Sequence, residues 1–356
     1  MLNKKMLNAL METNNYYQYM DYKVFKSIYD LLPNIEQYSI ENYEELKKSI
    51  IELIGEIVRS NGKKELYKYI SQLSNVEYKT REFGFSKRDH VIHALLTFIT
   101  GAYINEFFMC KHDSYVDSFQ WNLASLFHDI GYASSISNEL AYQQMQNMYG
   151  VINKLIESNL NKEIVDYYDI YSQLNRGKNA FTIIYDRLRK WKLDVEAIDK
   201  YVKGGKKIDH GVMSSLILLY TLDQVYQKYN PERKNGDCNV FVKIEQDTIF
   251  LNCSQDVFDE DITNVCAAIF IHNLDEKCFE NKKIEMKNAK LAYLLKLSDE
   301  LQDWNRTVFE NHASNPSELF DITIRNSKLL IRTTEDFCTK INKFLDSQDL
   351  IVNENN

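Results

Sequence analysis

Apolar positions recur at helical spacing along most of this chain. From Glu41 to Arg59, the residues Leu46, Ile50, Ile51, Leu53 and Ile54 form an apolar stripe among Glu and Lys positions, the spacing of an amphipathic helix. Ser60-Asn61-Gly62 predicts its end, because glycine accepts the left-handed backbone that closes a helix. Lys87 to Phe107 predicts a second strong helix, with His90, His93, Leu96, Thr100 and Ile104 on one face. A third apolar stretch, Trp121 to Phe127, runs into His128-Asp129-Ile130-Gly131, with Gly131 placed as its stop. His210 opens a helix, and Gly211 after it leaves room for close approach. Val265 to Ile271 leads to His272 on a helix that Asp261 or Thr263 would cap. Lys287 to Val308 predicts another helix, carrying Asp299.

Two regions alternate with a period of two instead. Asn239 to Ile244 and Thr248 to Cys253 flank Glu245-Gln246-Asp247, and Phe320 to Ile324 and Lys328 to Thr333 flank Arg325-Asn326-Ser327. Each predicts a β-hairpin. The stretch from about Asn138 to Lys203 is polar yet helical, and reads as an insertion that caps a site. The expected organisation is an N-terminal helical region at 1–80, a helical core in two parts at 81–137 and 206–310, an insertion at 138–205, and a C-terminal hairpin and helix at 311–356.

Composition supports this outline. Three prolines and eleven glycines in 356 residues predict a mainly α fold, with two short hairpins as the exceptions. Apolar residues at 44% and charged residues at 26% are those of a globular protein with a sizeable core. The formal net charge of -8 disfavours long nucleic acid, whose binding relies on a basic face, but leaves room for a small anion in a focused pocket. Six cysteines, at 110, 238, 253, 266, 278 and 338, form no CxxC pair, so reduced thiols and a cytoplasmic setting are expected. The start of the chain lacks the apolar core of a signal peptide, and Val265 to Ile271 is too short to span a bilayer.

Histidine carries the chemical signal. Of seven histidines, five fall at 90, 93, 128, 210 and 272, beside apolar runs. A single histidine in such a place is ordinarily a core residue with one hydrogen bond. Several imidazoles and carboxylates in one interior are costly without partners, and shared metal ions satisfy them together. A second pair, His112-Asp113, lies in the polar connector Cys-Lys-His-Asp-Ser-Tyr and reads as a solvated loop. His93 sits deeper in its apolar run than His90, which makes His93 the ligand and His90 a supporting or substrate-facing residue. Asp299, Gln302 and Arg306 fall on one stripe, a carboxylate backed by an amide and a guanidinium, which suits a phosphate ester. A surface ion pair would account for Arg306 equally well.

The ordered set His93, His128-Asp129, His210, His272 and Asp299, with Asp209-His-Gly and Lys296-Leu-Ser-Asp-Glu-Leu-Gln-Asp-Trp304, resembles the HD superfamily of metal-dependent phosphohydrolases over about 85–310. The resemblance implies an HD-type helical bundle with two divalent metal ions. His93, His128, Asp129 and Asp299 would hold one, and Asp129 would bridge to a second held by His210 and His272. It also implies a water of lowered pKa as nucleophile. Such mixed His and carboxylate ligation favours Mn, Fe, Co, Ni or Zn over Mg. Asp129, His128 and Arg306 would then be catalytic, with His90, Lys206, Lys207, Gln302 and Arg306 facing a small nucleotide or related substrate. Members that hydrolyse cyclic dinucleotides carry a Gly-Tyr-Pro signature, which this chain lacks. Two other readings fit the pattern: a single-strand nuclease, and a nucleotide sensor with little turnover. Nothing in the pattern decides self-association.

Overall fold

The computed structural model describes residues 2–36, 43–60, 90–132, 168–205, 208–233, 239–244, 247–302, 321–332, 337–347 and 350–353. Lys206, Lys207, Arg306, the expected stop at 61–62 and the first half of the expected insertion lie outside them. Among the described residues the fold is mainly α. Its helices are α1 (Leu2–Glu12), α2 (Tyr22–Glu36), α3 (Tyr43–Ser60), α4 (His90–Phe107), α5 (Ser118–Phe127), α6 (Ala180–Lys190), α7 (Val195–Gly204), α8 (His210–Tyr229), α9 (Thr263–Ile271), α10 (Lys290–Glu300) and α11 (Phe337–Ile341). The chain divides into two compact units, one formed by Met1–Leu126 with Lys283–Asn356, the other by Phe127–Lys282.

In the first unit α4 is the central element, with α1, α3 and α10 packed against it. Every residue from His90 to Glu106 is buried, so the stripe of His90, His93, Leu96, Thr100 and Ile104 is not its only interior face. Ile92, Leu95, Phe98, Ile99 and Ala102 bury the remaining surface, as a helix apolar all round must in water. Polar ties fix its neighbours. The Trp121 indole donates to the Phe98 carbonyl at 3.1 Å. Asn105 bonds both backbone groups of Val116, at 2.7 and 2.9 Å.

The C-terminal hairpin forms as expected, with β4 (Asp321–Arg325) antiparallel to β5 (Lys328–Arg332) and Arg325 opposite Lys328. Asn326 and Ser327 both have positive φ, 51° and 60°, which matches the right-handed twist of the strands they join. The last strand, Ile351–Asn353, pairs parallel with β5, a pairing that alternation alone did not foresee. Helix α10 begins at Lys290 rather than Lys287, because β3 (Ile284–Glu285) pairs with Leu345–Asp346 just before it.

In the second unit α8 and α9 pack together and α6 lies against α9. Ser215 Oγ donates to the Cys266 carbonyl at 2.7 Å across the α8–α9 contact. Phe181 and Tyr185 meet Phe270 edge-on, with centroids 6.0 and 5.8 Å apart. Arg176 donates to Asp223 at 2.6 Å and stacks on Phe258. The expected first hairpin is present, β1 (Asn239–Ile244) against β2 (Asp247–Asn252). The approach to α9 corrects the expected cap. Ser254 accepts from Val257 N and starts a turn that continues through Phe258–Ile262 into α9. Asp261 and Thr263 therefore sit inside a continuous helical run, and Thr263 Oγ1 donates to the Phe258 carbonyl at 3.0 Å.

Cys110, Cys253, Cys266, Cys278 and Cys338 are free thiols. Burial pushes the Cys278 thiol up to about 12 and raises Cys266 as well, which keeps both protonated and inert. No described helix is long and apolar enough to cross a membrane.

Candidate metal centre

The second unit assembles its site from three segments. Helix α5 ends at Phe127, and the turn that follows presents His128 and Asp129. The helix ends at Phe127, short of Gly131, and Gly131 has no positive φ; the described glycine with that conformation is Gly177. Gly131 is needed for space: a Cβ there would lie 2.4 Å from Ser214 N and 2.5 Å from the His210 carbonyl. Its N–H donates to Ser214 Oγ at 2.8 Å, and that hydroxyl donates to the His210 carbonyl at 2.7 Å. The His-Asp turn is thereby stitched to the first turn of α8.

His210 is the first residue of α8, and Asp209 caps the helix by accepting from Val212 N. Gly211 allows the close approach read from the sequence, since a Cβ there would stand 2.9 Å from the His272 ring. His272 follows the last residue of α9, with Nδ1 2.7 Å from the Ile269 carbonyl. A carbonyl only accepts, so Nδ1 carries the hydrogen and the neutral ring offers its lone pair at Nε2.

These side chains converge on one carboxylate. Asp129 Oδ1 lies 3.3 Å from His210 Nε2 and 3.6 Å from His272 Nε2. Its other oxygen, Oδ2, lies 3.6 Å from His128 Nε2. Ligands each about 2.1 Å from a shared ion, at angles of roughly 90–110°, sit about 3.0–3.5 Å apart. The 3.3 Å separation falls in that range, the two of 3.6 Å lie just beyond it, and none is the length of a good hydrogen bond. Asp129, His210 and His272 together could hold a metal ion, their ligand atoms all within 4.8 Å of one another. The His128, Asp129 and His272 side chains are 0%, 4% and 1% exposed, whereas His210 is 15% exposed. Solvent therefore reaches the group along the His210 edge. Tyr132, half-buried, sets its ring edge-on to His210 there at 5.8 Å. Three protein ligands leave coordination positions for water or a substrate oxygen.

In the first unit α4 and α10 bring His93 and Asp299 into contact, Nε2 to Oδ1 at 2.8 Å. That is a direct hydrogen bond, and sharing an ion would open it by several tenths of an ångström. Asp299, expected to be buried, is 18% exposed, while His93 is closed off. His90 is buried at the start of α4. Gln302 lies just beyond α10, buried, and its amide donates to Thr100 Oγ1 on α4. His112 is not freely solvated: its Nε2 lies 2.7 Å from the Ser327 carbonyl and ties a short turn to the C-terminal hairpin.

The sequence assigns no role to Tyr132 or Asn273, and Ser214 enters there only beside Ser215 in the stretch after His210 that carries the resemblance. Ser214 had a readable signal, four residues after His210 on a helix, the spacing at which a serine bonds back to a carbonyl. Scanned against protein-family models, the curated proteins and the solved structures, the chain matches none.

Proposed function

We propose that this chain is an HD-type, metal-dependent phosphohydrolase acting on a phosphate ester of a small nucleotide or related compound. The observation that carries the reading is the two-sided carboxylate of Asp129, Oδ1 toward His210 and His272 and Oδ2 toward His128. A carboxylate turned both ways is what a residue shared by two ions requires.

The order of residues along the chain adds His93 and Asp299 to the ligand set: by the resemblance, His93, His128, Asp129 and Asp299 would hold one ion, and His210 and His272 would hold a second that Asp129 shares. Bound divalent ions, Mn, Fe, Co, Ni or Zn before Mg, would lower the pKa of water and offset phosphoryl charge. The chain's own residues do the rest. The Ile269 carbonyl holds His272 in the tautomer that ligates. Asp129 offers two carboxylate oxygens, one to each side. Arg306, Lys206 and Lys207 would neutralise charge that develops on the substrate, with His90 and Gln302 supporting its position. The stretch at 138–205, read from the sequence as an insertion, would restrict access, so that small substrates are preferred. Free thiols agree with a reducing, cytoplasmic setting.

A mass-spectrometric turnover screen tests this. Protein with Mn²⁺ meets nucleoside mono- and triphosphates, cyclic mono- and dinucleotides and short oligonucleotides, beside a His128→Ala control. Product from a small nucleotide, absent from the control, is the expected result. Cleavage confined to oligonucleotides would replace the reading with a nuclease. Metal bound with no turnover anywhere would replace it with a sensor.

A further inference from the structure

Asp209 and Asn273 flank the two histidines that face Asp129 Oδ1, one directly before His210 and the other directly after His272. Asp209 uses both carboxylate oxygens. Oδ1 accepts from Val212 N at 3.0 Å and caps α8. Oδ2 accepts from Asn273 Nδ2 at 3.0 Å. Its backbone N–H donates to the phenol oxygen of buried Tyr168 at 2.9 Å. The chain is thus clamped on both sides of the His210–His272 contact: inside by Gly211 against the His272 ring, and outside by the Asp209–Asn273 bond. None of these groups lies among the residues facing Asp129, and capping alone would use only one oxygen of Asp209. The second oxygen reaches 64 residues along the chain to the other ligand-bearing segment.

We propose that Asp209 and Asn273 are positioning residues, a side-chain clamp that sets the spacing of His210 and His272 before a metal ion arrives. This rests on the metal-centre reading above. Asn273 is exposed and makes its contact at the surface, so losing it leaves the core untouched. The distance between the two ligand-bearing backbones is then held from the inner side alone. Outer partners that orient metal ligands commonly govern affinity by about 10–100-fold.

The test is a Co²⁺ titration of the full chain followed by the ion's visible absorption, with melting of the metal-free protein measured alongside. Asn273→Ala, which changes no charge, is expected to weaken Co²⁺ binding about tenfold and alter the absorption band, with the metal-free melting temperature unchanged. The exchange Asp209→Asn with Asn273→Asp conserves charge, cap and clamp, since the new amide donates to the new carboxylate. It is expected to restore binding to within about twofold of wild type. Asn273→Ala that binds like wild type, while Asp129→Ala loses the ion, would overturn the clamp and leave the metal centre standing. An exchange variant as weak as Asn273→Ala would also overturn it. Wild type and Asp129→Ala alike in Co²⁺ binding would instead sink the metal-centre reading itself.

Discussion

At the scale of single residues, the site depends on atoms that must not be present as much as on those that are. A methyl at position 211 would press on His272 Cε1 and Nδ1 at 2.9 Å and on the Ile269 carbonyl at 3.0 Å, the same two groups that fix the tautomer. Gly211→Ala is therefore expected to lower stability by about 1–3 kcal/mol through overpacking and to weaken metal binding at the same time. Gly204→Ala meets nothing within 4 Å and is expected to be neutral or to stabilise by up to about 1 kcal/mol. Chemical denaturation of the pair measures both; equal effects would contradict the close-approach account. The need for Gly211 was legible because the next ligand, His210, stood beside it in the sequence. The need for Gly131 was misread as a helix stop, because its neighbours, His210 and Ser214, lie some 80 residues further on and no local pattern announces them.

At the scale of elements, the helix starts show what local chemistry reveals. Asp209 before His210 has the side chain and position of a cap, and it caps. The start of the His272 helix was placed at Asp261 or Thr263 because apolar periodicity becomes continuous there, yet a polar, wider turn carries the helix back to Ser254. Ser254→Ala is accordingly expected to cost about 1 kcal/mol and Asp261→Ala less, by thermal or chemical melting; the reverse order would restore the sequence reading. The C-terminal hairpin was legible from its alternation, and its tip offers a further test. Ser327 holds a φ of 60°, which glycine adopts without steric cost. Ser327→Gly is expected to stabilise by about 0.5–1 kcal/mol, seen as a higher melting temperature; a lower one would show that the serine side chain matters more than its backbone. Parallel pairing of Ile351–Asn353 with β5 could not be read in advance, since partner choice depends on which edge is available in three dimensions.

At the scale of the whole molecule, the scarcity of proline and glycine and the long periodic stretches were enough to expect a mainly α fold. The division at Leu126 and Lys283 was not legible, because no Pro- or Gly-rich linker marks either point. The candidate site was readable as residue types, since buried His and Asp are costly anywhere and telling when several occur. What only the structure adds is direction: Asp129 turned both ways, and His272 held by a carbonyl. Metal that binds the folded chain alone stabilises it by about 2.7 kcal/mol at a hundredfold excess over Kd. Melting temperature is therefore expected to rise with Mn²⁺ and to fall back with chelator, and a melt blind to both would contradict metal binding. The most direct measurement is the metal content of the purified protein by inductively coupled plasma mass spectrometry, with Asp129→Ala and His112→Ala beside it. A bound metal ion is expected in wild type and in His112→Ala, and its loss from Asp129→Ala. Full metal retained by Asp129→Ala would contradict a centre built on that carboxylate.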